Sequence, residues 1–330
     1  MDITVIGAGA WGTALAISLT GNHRVTLWAR DAVQIGEMSA SRRNQRYLPD
    51  ISLPANLGLS ADLPAALATA ELAIVAVPTA ALRSTLQQLV LSQRSFGVVW
   101  VCKGFEAETS LLPHQVAAEV LPEIFQRGVL SGPSFAQEVA RGLPTALTLA
   151  SGDEEFARST AQALHHARLR IYASSDVIGV EVGGAVKNVM AIASGICDGM
   201  GLGHNARAAL MTRGLAEITR LGLKLGGRTE TLGGLSGLGD LILTCTGDLS
   251  RNRQVGLLLA QQHDLPEILR RLGHVAEGVY TVREVHHLAQ RLGVAMPICD
   301  AVYRILYEHI PAAKMVAELL NRAPNLEFGN

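Results

Sequence analysis

A strand that runs into three spaced glycines and turns at once into a helix constrains this chain more than any other stretch. Ile3-Thr4-Val5-Ile6 reads as a short buried strand, and Gly7-Ala8-Gly9-Ala10-Trp11-Gly12 carries it straight into an apolar helix beginning Thr13-Ala14-Leu15-Ala16. Each glycine has its own task in that spacing. Gly7 permits the tight turn, Gly9 lets a pyrophosphate approach the backbone, and Gly12 lets the helix pack close to the strand. The helix N-terminus then offers unpaired N–H groups and the positive end of its dipole to phosphate. A second strand, Arg24-Val25-Thr26-Leu27-Trp28, follows in the order that a dinucleotide-binding fold needs. After it come Arg30 and Asp31. At this point an acidic side chain grips the adenosine ribose of NAD and an arginine accommodates the 2′-phosphate of NADP, while Asp31 has the competing reading of a helix cap.

Near-continuous apolar runs recur at residues 72–77, 97–102, 129–130, 145–149 and 169–172, with helical stretches between them. Such runs predict a parallel sheet covered on both faces. From Val177 the pattern changes to a long helix rich in Gly and Ala reaching about residue 201, a second over 206–224, and further helices from Leu265, Tyr280 and Ile298. The expected architecture is an α/β Rossmann-type, doubly wound domain over residues 1–176 and an all-α domain over 177–330, with the polar Ser174-Ser175-Asp176 at the boundary.

At 330 residues, 48% of them hydrophobic and 17% charged, the chain has the material for two substantial cores. A net charge of −1 gives no electrostatic footprint for nucleic acid or an anionic membrane, so any anion must be bound locally. The N-terminus opens directly into the strand, which predicts no secretory leader, and no apolar run is expected to reach the roughly 18 residues of a membrane span. Cys102, Cys197, Cys245 and Cys299 are scattered without ligand spacing, which predicts reduced core thiols in a cytoplasmic protein and no metal site.

Parallel sheets bind ligands beyond the carboxyl ends of their strands. There the sequence puts Val77-Pro78, then Lys103 beside Gly104, then Ser131-Gly132-Pro133-Ser134-Phe135-Ala136. Lys103 is either a solvated charge or a ligand contact. Lys187 has almost no polar company in Val182-Gly183-Gly184-Ala185-Val186-Lys187-Asn188-Val189. It reads either as a snorkelling lysine or as an ammonium held at a cleft, where it can protonate a carbonyl oxygen as a hydride reaches the carbon. Asp240, after Gly237-Leu238-Gly239, is a helix cap or a site acid, and Ser250-Arg251-Asn252 at a helix start has the makings of an anion cradle.

Together these segments resemble the bacterial NAD(P)-dependent sn-glycerol-3-phosphate dehydrogenases. The matching pieces are GAGAWGTALA from Gly7, the stretch 44–49 ending YLP, CKGFE from Cys102, SGPSFAQEVARGLPTA from Ser131, VGGAVKNVMAIASGICDG from Val182, HNARAALMTRGLAE from His204, GLSGLGDLILTC from Gly234, SRNR from Ser250 and VAEGVYT from Val275. The resemblance implies Lys187 as the catalytic proton donor and acceptor, with Lys103, Gly132, Ser134, Asp240, Ser250, Arg251 and Asn252 around dihydroxyacetone phosphate. For NADPH or NADH it implies Gly7, Gly9, Trp11, Gly12, Arg30, Lys103, Ala136, Arg251, Val275 and Glu277, with Asn188 and Thr244 as further additions. It also implies a helical domain like the C-terminal domain of 6-phosphogluconate dehydrogenase, a role in glycerophospholipid synthesis and a homodimer. Two alternatives are a β-hydroxyacid dehydrogenase of similar architecture and a nucleotide-sensing protein without turnover.

Overall fold

The structure, a computed structural model, describes residues 1–273 and 276–322. Its first part runs β1 (Asp2–Ile6), α1 (Ala10–Leu19), β2 (Arg24–Trp28), α2 (Ala32–Ser41), β3 (Arg43–Asn44), β4 (Leu48–Ser52), β5 (Gly58–Ser60), α3 (Leu63–Leu67), β6 (Leu72–Val75) and α4 (Leu82–Leu91). It continues with β7 (Gly97–Trp100), α5 (Pro113–Val120), β8 (Arg127–Ser131), α6 (Ala136–Ala140), β9 (Thr145–Ala150), α7 (Glu154–Leu164) and β10 (Leu169–Ser174). Eight strands form one sheet in the order β10-β9-β8-β7-β6-β1-β2-β5, and β3 and β4 pair separately as a hairpin. Alternation along β1 explains the double cover. Ile3 and Val5 join a core with Leu15 and Leu19 of α1, Met38 of α2 and Phe156 of α7, while Ile6 joins the opposite core with Leu67 of α3, Leu86 of α4 and Val116 of α5.

The all-parallel expectation fails at one place: β9 runs antiparallel to β8, and β10 is again parallel to β9. A parallel crossover usually lays a helix on the sheet. Between β8 and β9 the only helix is the five-residue α6, whose Ala136 and Val139 pack with Ala14 of α1 and Leu48 of β4 instead. The chain therefore turns straight back, and the eleven-residue α7 restores a crossover into β10.

Asp176 ends the sheet part by capping the next helix, its carboxylate accepting from Gly179 N at 2.8 Å and Arg228 N at 2.8 Å. The remainder is α8 (Val177–Gly199), α9 (Gly203–Lys224), α10 (Thr229–Leu232), a π-helical turn (Leu235–Gly239), α11 (Asp240–Thr246), α12 (Arg251–Ala260), α13 (Leu265–Leu272), α14 (Glu277–Leu292), α15 (Pro297–Tyr307) and α16 (Ala312–Leu320). By length and composition α8 does qualify as a membrane-crossing helix, against the sequence expectation, because its glycines and alanines keep it apolar on average around Glu181 and Lys187. Its place explains the composition: 89% of its most apolar window is buried as the central helix of this part. Small residues let neighbours close in, and a Cβ on Gly183 would lie 2.7 Å from Ser236 O. All four cysteines are free and buried.

Candidate active site

A cleft of about 820 Å³ opens where the carboxyl ends of β1, β2, β6 and β7 face α8, α11, α12 and α14. At its sheet end the three glycines divide their tasks. Gly7 has φ +115°, and a Cβ there would sit 2.6 Å from Ala76 O; a Cβ on Gly12 would run into the Gly7 carbonyl. Gly9 has nothing within 4 Å of where a Cβ would stand, so that space belongs to the cleft. Close packing behind and open space in front, at the N-terminus of α1, is the cradle a pyrophosphate needs. The chain thus fits a dinucleotide on its own geometry.

Asp31 settles on its helix: Oδ1 accepts from Val33 N at 3.0 Å and Gln34 N at 3.2 Å, capping α2. Arg30, beside it, is exposed and lines the cleft. Trp11, Lys103, Ser134, Lys187, Asn188, Asp240, Thr244, Ser250, Arg251, Asn252 and Glu277 line it as well. Gly12, Gly132 and Ala136 do not. Gly12 lies under the turn, Gly132 offers its carbonyl to Lys103 Nζ at 3.1 Å and to Ser134 Oγ at 2.9 Å, and Ala136 packs behind α1. Val275 and the C-terminal tail from residue 323 lie outside the described residues.

At the inner end a single carboxylate holds two ammonium groups. Lys187 of α8, 7% exposed, donates to Asp240 Oδ1 and to Thr244 Oγ1 at 2.9 Å. Lys103, just past β7, donates to Asp240 Oδ2 at 2.6 Å. Neither lysine snorkels or floats free, and Asp240 caps nothing; it opens α11 directly from the π-helical turn. Burial pulls the Lys187 ammonium down to about 8, with Asp240 opposing and Lys103 assisting. For Asp240 burial pushes upward, yet Lys103 and Lys187 outweigh it and hold the carboxyl below its ordinary range. The result is a lysine poised to give or take a proton near neutrality.

A second chain of contacts ties the helices at the cleft floor. Asn252 Nδ2 donates to Asn188 Oδ1 at 2.9 Å, and Asn252 Oδ1 accepts from Gly278 N at 3.1 Å, joining α8, α12 and α14. Ser250 Oγ accepts from Arg253 N at 3.3 Å as the cap of α12, which leaves Arg251 exposed at the helix start and facing the cleft. Glu277 opens α14, where burial raises its carboxyl while Lys103, Arg251 and Lys187 draw it back. Sequence reasoning passed over Arg46 and Tyr47 in the β3–β4 turn and Ser84, Thr85 and Gln88 of α4, all of which line the cleft. The α4 set was legible in part, since α4 is the helix that follows the carboxyl end of β6, where a parallel sheet receives ligands.

A Gly-turn dinucleotide cleft closed by a buried lysine from a helical domain defines a pyridine-nucleotide-dependent oxidoreductase. Comparison with known proteins narrows the class. Residues 2–157 match the family described as NAD-dependent glycerol-3-phosphate dehydrogenase N-terminus, and 176–317 match its C-terminus counterpart. The chain is 59% identical over 327 residues to the glycerol-3-phosphate dehydrogenase [NAD(P)+] of Nitrosomonas eutropha, covering 99% of both. It is 61% identical over 328 residues to that of Thiobacillus denitrificans, covering 99% and 100%. The crystal structure of glycerol-3-phosphate dehydrogenase from Coxiella burnetii superposes with a TM-score of 0.93 at 43% identity, covering 97% of this chain and 98% of that one. The chain belongs to the NAD(P)-dependent glycerol-3-phosphate dehydrogenase family.

Proposed function

We propose that this enzyme interconverts dihydroxyacetone phosphate and sn-glycerol 3-phosphate, with Lys187 as the group that moves the proton. The observation that carries the reading is the pair of lysines on one buried carboxylate at the inner end of a dinucleotide cleft. Bound NADPH or NADH supplies a hydride to C2 of the ketone. Lys187 gives its proton to the developing alkoxide and is reprotonated from water; in the reverse direction it accepts the alcohol proton. Lys103 fixes the carbonyl end by charge and, through repulsion, keeps the proton on Lys187 labile. Asp240 orients both ammonium groups, and Thr244 fills one further donor direction of Lys187. Arg251 and Asn252, with the N–H groups at the start of α12, hold the phosphate, so that binding energy remote from C2 aligns the reacting carbon. Arg30 reads the 2′-phosphate of NADPH, because the Asp31 carboxylate beside it is engaged in capping α2.

Residues 1–176 and 177–330 form the dinucleotide and substrate parts in this reading. The product supplies glycerophospholipid synthesis, the buried free thiols favour the cytoplasm, and two copies associate. NADPH oxidation followed by absorbance with dihydroxyacetone phosphate, a 2-oxo acid or no ketone tests the activity: turnover only with the phosphate is expected, and preference for the oxo acid overturns it. A solution mass measurement tests the dimer.

A further inference from the structure

The β3–β4 hairpin is fastened to α1 at two points on either side of its turn. Asn44, fully buried, donates from Nδ2 to Ala8 O at 3.0 Å and to Thr13 Oγ1 at 2.8 Å. Leu48, 2% exposed, packs with Ala14 and with the half-buried Ala10 and Trp11. Arg46 stands midway between these anchors, so the hairpin delivers it beside the glycine turn, and it lines the cleft with Gly9, Ala10 and Trp11. Its guanidinium lies 5.4 Å from the centre of the Tyr47 ring, and it has no carboxylate partner among the described residues. A held but electrically uncompensated arginine next to free helix N–H groups is matched to an anion.

We infer that Arg46 is a pyrophosphate-binding residue, closing over the phosphates that the α1 N-terminus receives and serving NADH and NADPH alike. This rests on the dinucleotide reading of the cleft and is independent of Arg30, whose contact is with the 2′-phosphate alone. Backbone N–H groups supply hydrogen bonds to the pyrophosphate but only partial charge. A guanidinium adds a full charge and a two-pronged donor.

The test is calorimetric titration of the full chain with NADPH, NADH and ADP-ribose, the last carrying the pyrophosphate without nicotinamide or 2′-phosphate. Arg46→Ala is expected to weaken all three by a similar factor of about 5–20, the range for one partly exposed charge-assisted contact. Arg46→Lys should recover part of the loss, and Arg30→Ala should weaken NADPH alone. Unchanged ADP-ribose affinity in Arg46→Ala overturns the inference. So does a loss confined to NADPH, which would put Arg46 on the 2′-phosphate. Arg46→Gln, with the thermal melt of each variant, separates lost contact from a collapsed hairpin: equal melts with weakened binding support the contact, and weakened binding only where the melt falls overturns it. If the unaltered chain bound none of the three, the dinucleotide reading itself would fail.

Discussion

Replacing Asp240 by Asn should move the pH dependence of the reaction far more than it moves the fold. Asp240 is 1% exposed and carries contacts to both Lys187 and Lys103. Opposite charges about 3 Å apart attract by about 5–6 kcal/mol at an effective dielectric of 20, equivalent to about four pKa units. An asparagine oxygen still accepts from Lys187 and local relaxation admits water, so about two units of that support are lost. Lys187 then falls from about 8 to about 6, driven by burial and by Lys103 no longer offset. At pH 7.5 the unaltered lysine is mostly charged, whereas in the variant about one in thirty remains so. Ketone reduction requires the charged form, so kcat at pH 7.5 should drop by about 25-fold from ionisation alone. The assay is kcat for dihydroxyacetone phosphate reduction between pH 5.5 and 9.5. Its falling limb should shift from near 8 to near 6, with activity returning to within a few-fold of the unaltered enzyme at pH 5.5. The alcohol-oxidation limb should shift the same way, since that direction needs the neutral amine. A uniformly lowered profile with an unmoved limb would refute this account of how Asp240 acts.

Lys187→Met should lower kcat by about 10²–10⁴ while raising the melting temperature at pH 7. The native lysine titrates below its ordinary value, so its charged form opposes folding by about 3 kcal/mol below pH 8, and that cost fades as pH rises toward 10.5. Thermal melts at pH 7 and pH 10 check this: the gain should shrink at the higher pH. Arg251→Ala should raise the KM for dihydroxyacetone phosphate at least about tenfold and lower kcat, with no change for unphosphorylated dihydroxyacetone in steady-state assays. Gly183→Ala gains about 1 kcal/mol of helix propensity but sets a Cβ 2.7 Å from Ser236 O and 3.0 Å from Gly237 Cα. Overpacking of about 1–3 kcal/mol should win, lowering the melting temperature and, by pushing the π-helical turn away, kcat.

The glycine turn, seven strands of the large sheet and the core helix α8 were legible because each carries its own local pattern: special backbone at Gly7, unbroken apolar strands, small residues on α8. The direction of β9 was not, because strand direction depends on whether the preceding link spans the sheet, and α6 spends its apolar side on α1. The three-residue β5 and the two-residue β3 escaped for lack of length, and the five-residue β4 because Leu48-Pro49-Asp50-Ile51-Ser52 makes no apolar run. Lys187 stood out as a charge in an apolar helix, but its pairing with Asp240 joins residues 53 apart and that of Lys103 with Asp240 residues 137 apart. No spacing rule reports such a meeting. It depends on backbones touching where Gly183 meets the turn at Ser236, a contact visible only once both helices are in place.

A chain with net charge −1 still has to hold a polyanionic nucleotide and a phosphate ester at once. It does so by segregation: the cleft is lined by Arg30, Arg46, Lys103, Lys187 and Arg251 against the acids Asp31, Asp240 and Glu277. Those acids are individually disposed of. Asp31 turns its charge to the N-terminus of α2, Asp240 is shared between two lysines, and burial pushes Glu277 toward its neutral form. In the proposed reaction the phosphates dock at the outer positions, where Arg30, Arg46 and Arg251 have no ion pair among the described residues, and the proton moves at the inner position, where two lysines share one carboxylate. Full compensation would leave Lys187 too basic to release its proton, and none would leave it neutral, so one carboxylate between two ammonium groups is the arrangement that places it near 8.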